Sequence, residues 1–279
     1  MRTFSQKIAG IDGTEATFLG YIVDNSEEID PSRTRPAILI LPGGGYAETS
    51  PREAEPVAIR MLSYGFQAFI LHYSCAPSEY PVSTLQIAEA MSTIRANAED
   101  WHIDPDAIVV AGFSAGGHAA ALFTESWNTP LMAEHGFEPE QVKPNGLLLS
   151  YPVISMEAPY AHEGSVRNLL GNRADDPAWR ERMSLERHVS EDVPPTFIWT
   201  TATDATVPPQ NSLLFAQALL VAGVPCELHM FPEGAHGASL ANGETAKAEK
   251  NVVPAAQVWP DLFNTWMGAT FAQSLAWRK

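Results

Sequence analysis

A chain of 279 residues that is 45% hydrophobic and 18% charged can bury a large core, which excludes an intrinsically disordered protein. Seventeen Lys and Arg against 33 Asp and Glu leave a formal charge of −16. That charge repels phosphate backbones and anionic lipid, so no nucleic-acid and no membrane partner is expected.

The first residues, Met1-Arg2-Thr3-Phe4-Ser5-Gln6-Lys7, are followed by no apolar signal-peptide core. No run approaches the roughly 20 apolar residues of a membrane-spanning helix, so the expected location is cytoplasmic. Residues 16–23 alternate weakly and predict an added antiparallel edge strand. Residues 37–41 predict a buried strand closed by Pro42 and three glycines, 53–64 a helix stopped by Gly65, and 66–73 another strand. Between 83 and 101 the apolar positions Ile87, Met91, Ile94, Ala98 and Trp101 recur at three and four, one face of a helix. Residues 107–112 predict a strand and 115–124 a helix. Strands at 147–151 and 196–201 follow, then a helix over 210–222 ended by Gly223, a strand over 226–231 and a helix over 255–271.

Strands apolar on both faces that alternate with helices imply an α/β fold, with a mostly parallel sheet covered on both sides. Residues 157–192 are more polar and break the alternation without a Gly/Ser linker. They are expected to be an insertion over one domain spanning 1–279, either a lid or pocket wall or a plain surface excursion. Cys75 and Cys226 sit in or beside apolar stretches, where two free buried thiols are the expectation. No CxxC or Cys/His ligand spacing occurs, and no metal site is expected.

Gly112-Phe113-Ser114-Ala115-Gly116 lies between a predicted strand and a predicted helix. That context is what a nucleophile elbow requires. The turn is sharp, its flanking small residues let strand and helix approach, and the helix N-terminus favours developing negative charge. Serine needs a base and a group to orient that base. Asp204 follows the predicted strand at 196–201 and His236 follows the one at 226–231. Their order, serine then acid then histidine, is that of α/β-hydrolases. Ser114, Asp204 and His236 are therefore the candidate catalytic residues. His72, His102, His118, His135, His162, His188 and His229 fall in strands, helices or the insertion, with His118 a structural or supporting group beside the elbow. A tetrahedral intermediate needs two backbone donors. Ala115 supplies one, and an amide among residues 43–45 the other, Gly44 first and Gly45 next. Tyr46 is a candidate substrate contact. A phosphate-binding reading of these glycines lacks the required Gly-Lys-Ser/Thr.

Leu41-Pro42-Gly43-Gly44-Gly45-Tyr46, His102-Ile103-Asp104-Pro105-Asp106, Gly112-Phe113-Ser114-Ala115-Gly116-Gly117-His118 and Asp204-Ala205-Thr206-Val207-Pro208 together resemble the α/β-hydrolase esterases. Within them the chain from about Pro36 onward looks like the bacterial acetyl esterases and acetylxylan-esterase-like proteins. Pro42 stands where lipase-like esterases carry the His of His-Gly-Gly-Gly, which favours the carbohydrate-esterase group. The resemblance implies an α/β-hydrolase fold and hydrolysis of short acyl, chiefly acetyl, esters of small molecules such as acetylated sugars, without a cofactor. A peptidase or amidase on the same scaffold, and a non-catalytic binding protein of the same fold, are the alternatives. Oligomeric state is not legible here, and a homo-oligomer stays open.

Overall fold

A computed structural model describes residues 1–272. Eight strands form one sheet: β1 (Arg2–Ala9), β2 (Glu15–Ile22), β3 (Arg35–Leu41), β4 (Gln67–His72), β5 (Ile103–Phe113), β6 (Gly146–Ser150), β7 (Thr196–Thr201) and β8 (Cys226–Phe231). Their spatial order is β1-β2-β4-β3-β5-β6-β7-β8. The β1/β2 and β2/β4 pairings are antiparallel, and every pairing from β4 to β8 is parallel.

The period of two along each inner strand divides the core into two layers. On β3, Ala37, Leu39 and Leu41 face one layer, and Ile38 and Ile40 face the other. On β5, Ile108 and Val110 oppose Val109, Ala111 and Phe113 in the same way. The first layer is covered by α2 (Val82–Ala96), α3 (Ala115–Ser126) and α8 (Gln210–Val221), numbering helices along the chain. The second is covered by α1 (Glu55–Ser63) and α9 (Trp259–Thr270), whose Trp259 stacks on Trp199 of β7.

The local expectations change at several points, the C-terminal helix among them, which starts at Trp259 after a 3-10 turn over Pro254–Ala256. The strand over 16–23 is not the edge: β1 lies outside it and buries little beyond Ile8, with Phe4 half-buried against Phe18 and Trp101. The helix expected from residue 53 begins at Glu55, because a 3-10 turn over Pro51–Glu53 precedes it and Ala54 breaks the helical backbone between them. Two short helices, α4 (Pro130–Glu134) and α5 (Pro139–Val142), follow α3 in a stretch too short for a periodic signal. Between β6 and β7, residues 157–192 carry α6 (Glu163–Leu170), α7 (Pro177–Arg182) and two 3-10 turns. No described helix is long and apolar enough to cross a membrane.

Candidate active site

Ser114 ends β5 and caps α3 with φ +54° and ψ −118°. A non-glycine residue there carries strain of about 1–3 kcal/mol, which persists only if its surroundings enforce it. Its N–H donates to the Ser150 carbonyl at 3.0 Å and its own carbonyl accepts from Val153 at 3.0 Å, so the β6 end clamps the turn. Gly116 allows the close approach behind it, since a Cβ there would overlap the Leu41 and Pro42 carbonyl oxygens. The serine hydroxyl is thereby held above the parallel strands' C-terminal ends, with the free amides of α3 beneath it.

The Ser114 hydroxyl donates to His236 Nε2 at 2.7 Å, and His236 Nδ1 donates to Asp204 Oδ2 at 2.6 Å. A carboxylate only accepts, so the Asp204 contact fixes the imidazole hydrogen on Nδ1 and leaves Nε2 as a base. Asp204 is 4% exposed, and its Oδ1 takes the amides of Thr206 at 2.9 Å and Val207 at 3.0 Å. Those two bonds orient the carboxylate before the histidine arrives. The His236 ring meets Tyr151 edge-on, with centroids 5.1 Å apart.

The glycine loop lies against the elbow: a Cβ on Gly43 would sit 2.9 Å from Ser114 Cβ. Gly44 has φ +137° and its added Cβ would overlap the Glu48 carbonyl oxygen, so only glycine fits that turn. Among the described residues the amides of Gly44, Gly45 and Ala115 have no acceptor, as donors awaiting an oxyanion would. The Gly43 amide is different. It donates to Glu53 Oε2 at 2.8 Å, which removes it from the set of donors expected over 43–45.

Tyr46 does not fit the expected substrate contact. Its side chain is 2% exposed and turns into the core, where its hydroxyl lies 2.9 Å from His118 Nδ1. His118 Nε2 lies 2.9 Å from the Met183 carbonyl, which only accepts, so Nε2 carries the hydrogen and Tyr46 donates to Nδ1. Burial pushes His118 down to about 4, so it stays neutral as a strut between loop, α3 and insertion. Cys75 and Cys226 are free and half-buried, with burial raising their thiols to about 12 and about 11.

Three neighbours carry no sequence signal. Glu53 reads as an ordinary acidic residue at a helix start, yet it is buried. Tyr151 reads as the last residue of a strand. His162, in the insertion, caps α6 and approaches Gly45: a Cβ there would be 3.6 Å from His162 Cε1. Asn168 of α6 donates to the Gly45 carbonyl at 2.8 Å, which ties α6 to the glycine loop.

The BD-FAE family pattern matches residues 27–219, a span that holds both Ser114 and Asp204. The chain belongs to the BD-FAE family. This BD-FAE member is 36% identical to an acetyl ester-xyloside bifunctional hydrolase from Caldicellulosiruptor lactoaceticus, with TM-score 0.79 over 92% of this chain and 88% of that one. It is 30% identical to the carboxylesterase Cest-2923 from Lactobacillus plantarum WCFS1, with TM-score 0.85 over 96% and 98%. These similarities give it the α/β-hydrolase fold, and its homologues include carboxylic ester hydrolases. The acetylxylan esterase of Xylanibacter ruminicola is 30% identical over 205 residues, 72% of this chain and 40% of that protein. The chain spans less than half the length of the curated relatives it matches.

Proposed function

We propose that the chain is a serine carboxylesterase that hydrolyses short acyl esters, acetyl esters of carbohydrate alcohols in particular. The observation that carries this reading is the unbroken hydrogen-bonded line from Ser114 through His236 to Asp204. Ser114 Oγ attacks the ester carbonyl while His236 Nε2 takes its proton. The amides of Ala115 and of Gly44 or Gly45 receive the oxyanion. Collapse expels the alcohol, protonated by His236, and leaves an acyl-enzyme. Water then gives a proton to His236 and attacks the acyl carbon; the bond from that carbon to Ser114 Oγ breaks, His236 returns the proton to Oγ, and the carboxylic acid departs. No step asks for a metal or organic cofactor.

Support for the substrate class comes from two sides. Among the relatives are an acetylxylan esterase and an acetyl ester-xyloside bifunctional hydrolase, one named for acetylated xylan and the other for acetyl esters and xylosides. The wall that residues 157–192 present to Gly45 is polar, with His162, Ser165 and Asn168. Such a wall suits a hydroxyl-rich alcohol and a short acyl group better than a fatty chain. Replacing Ser114 with Ala should abolish hydrolysis of p-nitrophenyl acetate while near-ultraviolet circular dichroism stays unchanged. Full turnover by that variant would refute the reading. An acyl-length series beside an acetylated xylo-oligosaccharide tests the finer claim, which fails if octanoate outruns acetate.

A further inference from the structure

Glu53 is 2% exposed, and a carboxylate buried that deeply is costly unless donors occupy its oxygens. Both oxygens are engaged. Oε2 accepts the Gly43 amide at 2.8 Å, and Oε1 accepts the Tyr151 hydroxyl at 2.6 Å. The Gly43 carbonyl meanwhile accepts from Ser50 at 2.7 Å, so Gly43 is fixed at both ends and the turn presenting Gly44 and Gly45 starts from a set point. On the other side, the Tyr151 oxygen accepts the Ser239 amide at 2.9 Å, three residues past His236, and its ring abuts the imidazole. Arg52 reinforces the same link: Nη1 donates to the Gly237 carbonyl at 2.8 Å, and the Arg52 carbonyl accepts the Ser239 hydroxyl at 2.6 Å.

We propose that Glu53 is a positioning residue whose carboxylate bridges the oxyanion loop and the His236 loop, Gly43 on one oxygen and Tyr151 on the other. This inference rests on the esterase reading of the site. The two halves of that site come from segments nearly 200 residues apart, and the transition state needs both in register at once. A shared acceptor links them more tightly than two separate anchors, because neither donor can shift without displacing the carboxylate. The bonds are charge-assisted, which makes them stiff as well as short.

Glu53→Gln, Tyr151→Phe and the double variant test this with p-nitrophenyl acetate, normalised to active sites titrated by a fluorophosphonate. Glutamine has the same shape and keeps an acceptor for the Gly43 amide, but its NH2 replaces the oxygen that accepts from Tyr151, so the packing should survive while the bridge is broken. Each single change should lower kcat about ten-fold with KM within about two-fold. Inhibition by a boronic acid, which mimics the tetrahedral species, should weaken by a similar factor. The double variant should be no worse than the poorer single, since both break one linkage. A role in stability alone would lower the titrated fraction and leave kcat per site unchanged, and that result overturns the proposal. Losses that multiply in the double variant also overturn it. If wild-type protein neither turns over the ester nor reacts with the fluorophosphonate, the esterase reading falls, and this inference with it.

Discussion

Asp204 gives His236 Nδ1 one oxygen at 2.6 Å and gives the amides of Thr206 and Val207 the other. The two oxygens are therefore not interchangeable. In Asp204→Asn the amide oxygen will stay with the two backbone donors, and the NH2 will face His236. That group repels a hydrogen on Nδ1 and moves it to Nε2, where the ring no longer accepts from Ser114. Turnover should fall by about 10⁴-fold with the fold intact, the magnitude seen when a triad histidine loses its carboxylate acceptor. Steady-state kinetics beside a thermal melt check this, and a loss below ten-fold would separate Asp204 from the chemistry.

His118 predicts how stability depends on acid. Its folded value of about 4 lies below the ordinary histidine value near 6.5, so the unfolded chain binds a proton that the folded one refuses. The contribution is complete above about pH 6.5 and is lost as pH falls towards 4, to a total of about 3 kcal/mol. His118→Gln can still accept from Tyr46 and donate to the Met183 carbonyl, but it does not titrate. Urea unfolding across this range should give a shallower acid limb for the variant, by about one proton. Parallel curves would contradict the assignment.

Tyr46 separates a loop anchor from a substrate contact. Tyr46→Phe leaves His118 Nδ1 buried without its donor, which costs about 1–3 kcal/mol. The melting temperature should drop while KM for p-nitrophenyl acetate holds within two-fold. A raised KM with unchanged stability would restore Tyr46 to the pocket.

The sequence makes the parallel core legible because its strands are buried on both faces and bounded by glycine and proline. Thr196–Thr201 matches its predicted bounds for that reason; Cys226–Phe231, only half-buried at the far edge of the sheet, matches because Gly223, Pro225 and Pro232 bound it. β1 escapes because an exposed edge buries one face weakly, leaving no period to read. The elbow is legible because strand, glycine spacing and helix occur together around Ser114. Tyr46, Glu53 and His162 are not, because what each does depends on burial and on partners far along the chain. Nothing adjacent to Glu53 announces that its carboxylate will meet Tyr151, 98 positions away.

His162 offers a way to probe the wall beside Gly45. Its Nδ1 accepts the Ser165 amide at 3.2 Å and lies 2.8 Å from the Ser165 hydroxyl, so the hydrogen sits on Nε2. Burial, then the nearby His236, holds its pKa below the usual histidine range, and the ring is neutral at neutral pH. No described residue accepts from Nε2, which leaves a donor on the ring whose Cε1 faces Gly45. His162→Asn keeps the helix cap, because asparagine also accepts the amide of a third helical residue, but it shortens the side chain and removes that donor. One lost hydrogen bond to a sugar hydroxyl is worth about five- to ten-fold. The ratio of kcat/KM for an acetylated xyloside over p-nitrophenyl acetate, which has no such hydroxyl, should fall by that factor. An equal fall on both substrates would mean that His162 acts through His236 instead, and an unchanged ratio with unchanged rates would leave it only the cap of α6.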